Sequence, residues 1–362
     1  MKLTLEIVTV GKRYPLTISR GTSTGSDNLI LRLDYGDIEG VGEMAPTSGG
    51  AVAETALGAE AAFCRWIDLL DGLGPWDSQE IERRLNESDG RRTDLAARAA
   101  LDMAIWDWKG KFAGVPLWKL LGLNRDRIPA TSVTIGINPP EVVRSRVQDI
   151  LRRTGARHLK VKLGNPDGPE SDKTMFAAAQ QAATEIESEI TCAPTWRVDA
   201  NGGWSLEKAV GMIEWLAARG VEYVEQPLLR GRERDLPELH RCSPLPIYAD
   251  ESVCLSDDIP PIAEHIDGVN LKLMKCGGIT EAIRIIHTAR ANNLRVMFGC
   301  MSETSLAITA AAHISPLADE LDLDSHLNLL PDPFAGAELV DGRIVPGEAP
   351  GLGVTLRAEG TR

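Results

Sequence analysis

Residues 157–164, RHLKVKLG, form a short run of apolar and basic residues closed by a glycine, a pattern typical of a β-strand. Side chains two residues apart on a strand point to the same face, so Lys160 and Lys162 lie side by side. Adjacent ammonium groups repel, and each tends to lower the pKa of the other. On a solvent-facing surface the pair would have no consequence, whereas inside a barrel it would bring two amines to one site.

Similar short strands recur along the chain from about residue 128, and segments long enough for helices separate them. These strands are ATSVTIGI (130–137), WRVDANG (196–202), EYVEQPL (222–228), PIYADES (246–252), DGVNLKLMK (267–275), RVMFGCMSE (295–303) and ELDLD (320–324). Helices are expected between them, over 140–154, 205–219 and 279–292 among others. This alternation of strand and helix predicts a β/α barrel over residues 126–335.

The first 125 residues lack this alternation and predict an α+β unit. LTLEIVTV and NLILRLDYGDIEGVGEMA are interpreted as strands, the second folded at Tyr35-Gly36-Asp37. Thr93 and Asp94 are expected to cap a helix that ends at Gly114. The tail, 336–362, is predicted to pack back on this unit.

The composition excludes several classes of protein. The 362 residues are 43% hydrophobic and 25% charged, with a net charge of -13 that argues against a nucleic-acid partner. No uncharged apolar stretch approaches the roughly 18 residues of a membrane span, and a cytoplasmic location is expected. The six cysteines are scattered without a C-x-x-C pair, which argues against a zinc site or a disulfide framework.

Charged residues end almost every barrel strand, where β/α barrels carry their catalytic groups. Asp199, Glu225 and Asp250 follow one another at separations of 26 and 25 residues, about one β/α repeat each. Any one of them alone is equally consistent with a solvated loop residue. Three carboxylates that converge at one rim repel each other, and oxygen ligands without histidine favour Mg²⁺, with Mn²⁺ as a possible substitute.

Two lysines are expected on opposite sides of this site. Lys162 ends the second barrel strand and Lys272 the sixth, so they face each other across an eight-stranded barrel. This arrangement predicts removal and return of a proton on opposite faces of a carbon next to a carboxylate. Lys160 would lower the pKa of Lys162 and help to hold the developing oxyanion.

The chain resembles the muconate-lactonizing subgroup of the enolase superfamily along nearly its whole length. LKVKLG, RVDANGG, VEQPL, ADES and LKLMKCGG occur in order at the expected strand ends. The resemblance implies a modified (β/α)7β barrel of the TIM type, with an α+β capping domain formed by the N-terminal part and the C-terminal tail. It also implies Mg²⁺ on Asp199, Glu225 and Asp250, with Lys162 and Lys272 as the acid/base pair.

Asp322 and Asp324 indicate the substrate. They share one face at the last strand and look like the Asp-x-Asp motif with which dipeptide epimerases of this subgroup hold the free ammonium group of the substrate. The resemblance therefore implies epimerisation of the C-terminal α-carbon of a dipeptide, with L-Ala-D/L-Glu, a fragment of cell-wall peptide, as the leading substrate. A polar strand end or a helix cap is the alternative interpretation of the two aspartates.

Further residues are expected around the substrate. The segment LTISRGTSTGSDN is predicted to be a mobile loop, and Arg20 within it could bind a glutamate side chain or be a surface charge. Thr134, Cys300, Met301 and Glu303 are expected to line the pocket, and Glu303 would instead favour a polar or cationic side chain. Asn201 and Glu251 are expected to support the neighbouring metal ligands.

Two rival functions stay open from the sequence. One is another reaction of the subgroup, namely that of a cycloisomerase, an o-succinylbenzoate synthase or an N-acylamino acid racemase. The other is a catalytically silent barrel that binds a metal and an anion, although such a protein would not need a base on each face. A homo-oligomer is possible, but no interface can be identified.

Overall fold

The computed structural model describes residues 1–48 and 53–357, and its N-terminal part is a three-stranded antiparallel sheet followed by helices. Its elements are β1 (Lys2–Ile18), β2 (Gly21–Tyr35), β3 (Ile38–Met44), α1 (Ala56–Leu69), α2 (Ser78–Asp89), α3 (Leu95–Ala113) and α4 (Leu117–Leu120). The predicted turn is confirmed, because β2 ends at Tyr35 and β3 begins at Ile38. Helix α3 packs closely on β3, since a Cβ at Gly42 would collide with the carbonyl oxygen of Ala100.

The segment expected to be a mobile loop, residues 16–28, lies instead in a long β-hairpin formed by β1 and β2. Its backbone is paired almost to the end, with Leu16 opposite Ser23 and Ile18 opposite Gly21. The expectation of a loop was wrong because the many Gly, Ser and Thr residues here pair across the ribbon. The tip, Ser19 and Arg20, reaches the barrel.

Helix α3 has the predicted bounds but a different cap. Asp94 stands at the N-cap position with a left-handed backbone, φ 52°, and its side chain makes no capping hydrogen bond. The carboxylate of Glu54, 41 residues upstream of Leu95, accepts hydrogen bonds from the backbone N–H groups of Leu95 at 3.1 Å and Ala96 at 2.7 Å. The helix ends as predicted at Gly114, φ 68°.

The second part of the chain alternates strand and helix around a closed barrel. Its elements are β4 (Ser132–Ile135), α5 (Pro140–Thr154), β5 (His158–Lys162), α6 (Pro169–Glu185), β6 (Thr195–Asp199), α7 (Leu206–Ala217), β7 (Val221–Glu225), α8 (Leu236–Cys242), β8 (Ile247–Ala249), β9 (Gly268–Leu271), α9 (Leu273–Cys276), α10 (Ile279–Ala291), β10 (Arg295–Gly299), α11 (Ser305–Ile314), β11 (Glu320–Asp322) and α12 (Ser325–Asn328). The eight strands, β4 to β11, are parallel neighbours in chain order, and a bridge between Thr131 and Leu321 closes the circle. The predicted barrel is confirmed.

The barrel helices cover the strands with apolar faces. In α5 the buried residues are Val143, Val147, Ile150 and Leu151, the spacing of one helical face. One predicted boundary is wrong: β9 ends at Leu271, because the carbonyl of Lys272 accepts hydrogen bonds from the N–H groups of Lys275 and Cys276 and bends the chain into α9.

The C-terminal tail touches both parts of the molecule. β12 (Phe334–Ala335) directly precedes it, and it contains β13 (Glu338–Val340), β14 (Arg343–Val345) and β15 (Thr355–Leu356). The Leu352 N–H donates to Asp107 of α3 at 2.7 Å, and the Gly342 carbonyl accepts from Thr131 beside β4 at 2.7 Å. The division into units 1–125, 126–335 and 336–362 stays a prediction.

Among the described residues, no helix combines the length and the apolar character needed to cross a membrane.

Candidate active site

A cavity of about 580 Å³ lies between the β1–β2 hairpin and the C-terminal ends of the barrel strands. The hairpin contributes Lys12, Ile18 and Arg20 among others, and the barrel contributes residues from several strand ends. The cavity therefore lies where the sequence predicted the chemistry.

Three carboxylates meet at the floor of this region. Asp199 is the last residue of β6, Glu225 is the last of β7, and Asp250 directly follows β8. One oxygen from each lies within 4.8 Å of the others, and all three residues are fully buried. Burial and the neighbouring Asp199 carboxylate raise the pKa of Glu225 to about 8. The ionised form of Glu225 is therefore costly in this buried position unless a further cation stabilises it.

Lys162 and Lys272 flank the three carboxylates. Lys162 Nζ donates to Asp199 Oδ2 at 2.6 Å, and Lys272 Nζ donates to Asp250 Oδ2 at 2.6 Å. Burial opposes the charged form of Lys272, but the carboxylates of Asp250 and Glu225 outweigh it and raise its pKa. Since β5 and β9 are four strands apart in a barrel of eight, the two lysines stand on opposite sides.

Lys160 differs from its expected place. It is fully buried, is not among the residues that line the cavity, and donates to Glu225 Oε2 at 3.0 Å. It also forms an ion pair with Asp322. Burial alone would lower the pKa of Lys160, yet the carboxylates of Asp322 and Glu225 raise it well above its usual value. Lys160 therefore lies behind the carboxylates of Glu225 and Asp322, deeper in the barrel than Lys162.

Asp322, Asp324 and Thr134 meet at the seam between the last and first barrel strands. The Thr134 N–H donates to Asp324 Oδ2 at 2.6 Å, and Thr134 Oγ1 lies 3.4 Å from Asp322 Oδ1. All three residues line the cavity. Burial and the nearby Asp322 carboxylate raise the pKa of Asp324 to about 6.

Arg20 is engaged with the barrel. Its Nη1 donates to the Asn201 carbonyl at 2.7 Å, and its Nη2 donates to Glu251 Oε1 at 2.7 Å. Asn201 in turn donates its backbone N–H to Asp199 Oδ1 at 2.7 Å and its side-chain Nδ2 to Asp199 Oδ2 at 3.1 Å. The hairpin tip is thus tied to the loops that carry two of the three carboxylates.

Of the three residues expected after β10, Cys300 and Met301 line the cavity and Glu303 does not. Glu303 is fully buried, and its Oε1 accepts a hydrogen bond from the Met301 N–H at 2.9 Å, which turns the carboxylate inward. Burial raises the pKa of Glu303 to about 8. Its expected contact with a substrate side chain therefore has no counterpart in the cavity wall.

Two family models match almost the whole chain. Residues 2–122 match the N-terminal domain of mandelate racemase and muconate lactonizing enzyme, and residues 142–360 match the enolase C-terminal domain-like family. The chain belongs to the mandelate racemase and muconate lactonizing enzyme family. This membership confirms the resemblance to the enolase superfamily.

Relatives within this family have assigned activities. A hydrophobic dipeptide epimerase from Roseobacter litoralis is 50% identical over 356 residues, 98% of this chain and 99% of that protein. A hydrophobic dipeptide epimerase from Flavobacteria bacterium (strain MS024-2A) is 47% identical over 361 residues, 99% of each chain. The solved dipeptide epimerase from Enterococcus faecalis V583, complexed with Mg and L-Leu-L-Tyr, has a TM-score of 0.87 at 30% identity and covers 98% of this chain and 99% of its own.

The residues around the three carboxylates suit a hard divalent cation. Two buried acceptor atoms next to them, Asn201 Oδ1 and Glu251 Oε2, have no hydrogen-bond partner among the described residues. Oxygen-only donors of this kind are what Mg²⁺ prefers, and excess buried negative charge is costly without a cation. The family fold and the local chemistry therefore agree that a divalent metal fits here.

Three further residues shape the site and were missed by the sequence reasoning. Lys275 Nζ donates to Asp250 Oδ1 at 2.6 Å, Asn270 Nδ2 donates to Glu225 Oε1 at 2.7 Å, and Gln226 Oε1 accepts from the Asp250 N–H at 2.8 Å. Gln226 also has a left-handed backbone, φ 37°. The second lysine of LKLMKCGG and the glutamine of VEQPL were visible signals, but their partners lie on other strands.

Proposed function

We propose that this protein is a Mg²⁺-dependent dipeptide epimerase that inverts the C-terminal α-carbon of its substrate. The observation that carries the proposal is the pair Lys162 and Lys272, placed on opposite sides of three buried carboxylates within one cavity. Asp322 and Asp324 in the same cavity give a free α-ammonium group its counter-charge. Relatives at 47% and 50% identity act on dipeptides, which supports the same reaction here.

The two lysines divide the proton transfer between the faces of the α-carbon. One Nζ, in its neutral form, takes the α-proton from its side, and the opposite Nζ, as ammonium, returns a proton from the other side. The roles exchange for the other epimer, so the reaction runs in both directions. Lys160 and Lys275 act as positioning residues, because their ammonium groups hold the metal-binding carboxylates in place.

Asp199, Glu225 and Asp250 would hold the metal, with Asn201 and Glu251 supporting them. When bound, Mg²⁺ would neutralise the negative charge that develops on the substrate carboxylate as the α-proton leaves. Mn²⁺ would substitute because it accepts the same oxygen ligands.

There are two candidates for the side chain of the substrate's C-terminal residue, a glutamate side chain and an apolar one. L-Ala-D/L-Glu needs a free cation for its glutamate, and Arg20 is the predicted one. The contacts of Arg20 with Glu251 and Asn201 favour an apolar side chain instead, because its guanidinium is already engaged. Leu16, Ile18, Val133 and Ile135 line the cavity and suit such a side chain.

Proton NMR in D₂O with Mg²⁺ tests both points. The protein is given L-Ala-L-Leu and L-Ala-L-Glu separately, and the α-proton signal of the second residue is followed. Exchange that needs Mg²⁺ and stops with EDTA would support the reaction, and the faster substrate identifies the side chain preferred. No exchange in a broader L,L-dipeptide library would refute the epimerase and direct attention to cycloisomerase and succinylbenzoate synthase substrates.

A cytoplasmic location, a role in cell-wall peptide metabolism and a homo-oligomer stay predictions.

A further inference from the structure

Lys12 is unlike the other lysines of the cavity wall. Lys162, Lys272 and Lys275 each donate to a carboxylate at 2.6 Å. Lys12 Nζ donates only to two hydroxyls, Ser23 Oγ and Ser302 Oγ, each at 2.7 Å. Since an ammonium group has three N–H donors, one is left without a partner among residues 1–48 and 53–357. This cation therefore lines the cavity with its charge uncompensated by any described carboxylate within ion-pair distance.

The backbone holds Lys12 at a fixed place in the cavity. The β1–β2 register shifts between Gly11 and Leu16, so residues 12–15 bulge from the ribbon. A bridge joins Lys12 to Leu329, and the Tyr14 N–H donates to Asn328 Oδ1 at 2.9 Å. These partners belong to the segment that follows Asp324. Lys12 is therefore attached to the end of the cavity formed by β11, where the substrate ammonium is proposed to bind.

The neighbouring wall adds a second cation. Arg146 lines the cavity, lies 5.2 Å from the ring centroid of Tyr14, and donates to the Pro15 carbonyl at 3.2 Å. Among the described residues it forms no ion pair with a carboxylate. The chain has a net charge of -13, so two neighbouring cations without carboxylate partners among the described residues are unusual in it. They favour an anionic ligand group at this end.

We propose that Lys12 binds a carboxylate on the side chain of the substrate's N-terminal residue, an aspartyl or glutamyl group. This inference rests on the proposed dipeptide epimerase and specifies its substrate class. The α-ammonium group binds Asp322 and Asp324, and the side chain of the same residue extends to Lys12. Burial lowers the pKa of the Lys12 ammonium, and a bound carboxylate would reverse this effect.

The test compares matched acid and amide substrates. The value of kcat/KM is measured for L-Glu-L-Leu and for L-Gln-L-Leu. The two dipeptides differ only in the side-chain carboxylate or carboxamide, so the ratio of the two values reports the effect of the carboxylate charge. We expect the acid to be favoured about ten- to hundredfold in the unmodified protein, the effect of one charge-assisted hydrogen bond. The ratio is expected to fall close to one in Lys12→Met.

Controls separate this role from folding and from the reaction itself. Lys12→Gln keeps a donor for the two serines and should also lose the ratio, while Lys173→Met, on the outer helix α6, should retain it. A ratio near one in the unmodified protein, or a ratio that survives both Lys12 variants, would overturn the proposal although L-Ala-L-Leu still exchanges. If the Lys12 variants instead lose a preference for L-Leu-L-Glu over L-Leu-L-Gln, Lys12 binds the side chain of the C-terminal residue, and its assignment to the N-terminal residue is wrong. Absence of exchange with every dipeptide would refute the epimerase, and this inference with it.

Discussion

The barrel rim and the hairpin that covers it face one cavity, but they are built in different ways. At the rim, each metal-site carboxylate and each flanking lysine lies at the end of its own strand or directly after it, so its place follows from a few adjacent residues. At the hairpin, Arg20 contacts Glu251, 231 residues away, and Lys12 contacts Ser302, 290 residues away. The places of the rim charges are therefore encoded locally, whereas the places of Arg20 and Lys12 depend on contacts between distant parts of the chain.

The largest effect is expected at the rim. Lys162→Ala and Lys272→Ala should each reduce epimerisation by about 10²–10⁴-fold, the usual contribution of a positioned acid or base. Each variant should still exchange the α-proton of the one epimer that faces its remaining lysine. Proton NMR in D₂O with both epimers measures this, with Lys208→Ala on the exposed side of α7 as the control. Equal loss of exchange for both epimers in both variants would contradict a role for one lysine on each face.

A second prediction concerns a buried residue that joins distant segments. His313 of α11 accepts a hydrogen bond from the Trp118 N–H at Nδ1, 3.1 Å, and its Nε2 lies 3.1 Å from the Leu352 carbonyl. The contact with Trp118 needs the neutral ring, because only an unprotonated Nδ1 accepts a hydrogen bond, and burial lowers the pKa of His313 to about 4. The unfolded chain takes up the proton near pH 6.5, so the stability from His313 is complete above that pH. It is lost as the pH falls towards 4, by about 3 kcal/mol in total.

Urea unfolding between pH 7.5 and pH 4.5 checks this sign. His313→Asn should be less stable at neutral pH but should lose less stability on acidification than the unmodified protein. The exposed His287 provides the control, because His287→Gln should keep the full pH dependence. Parallel curves for His313→Asn and the unmodified protein would show that other groups cause the acid sensitivity.

What the sequence could predict follows the same division. The barrel, the three carboxylates and the two opposed lysines come from strings such as RVDANGG and LKVKLG, whose alternation and strand-end charges are local. The hairpin was mistaken for a loop because its pairing depends on a partner strand. Glu303 is a local exception: a hydrogen bond from the Met301 N–H turns its carboxylate inward, and residue types alone do not specify that bond. Lys12 carried no local signal, since a lysine within a strand is ordinary until the fold places Ser302 beside it.

A substitution at the hairpin tip is expected to reduce activity less than the lysine substitutions at the rim. Arg20→Met removes the hydrogen bonds to Asn201 and Glu251, so KM should rise about tenfold for every dipeptide if Arg20 only holds the hairpin closed. If Arg20 instead binds a substrate carboxylate, the loss will be confined to L-Ala-L-Glu and absent for L-Ala-L-Leu. Steady-state kinetics on both substrates decides between these roles. Arg32→Met, which removes an ion pair with Glu39 on the same ribbon, should leave both KM values unchanged.

The smallest expected effect is a change in unfolding free energy at the start of α3, away from the cavity. It compares a contact between distant residues with one between adjacent residues. Glu54, distant in sequence, caps this helix, while the adjacent Asp94 does not, so Glu54→Ala should cost about 1 kcal/mol of unfolding free energy. Asp94→Gly should cost only a few tenths of a kcal/mol, because glycine accepts the left-handed backbone at that position and the ion pair that is lost, with Arg65, is partly exposed and weak. Since burial raises the pKa of Glu54 to about 7, urea unfolding is best compared at pH 8, where the carboxylate is ionised. A larger loss for Asp94→Gly would mean that the local residue controls the helix end after all, and that distant contacts matter less here than at the hairpin.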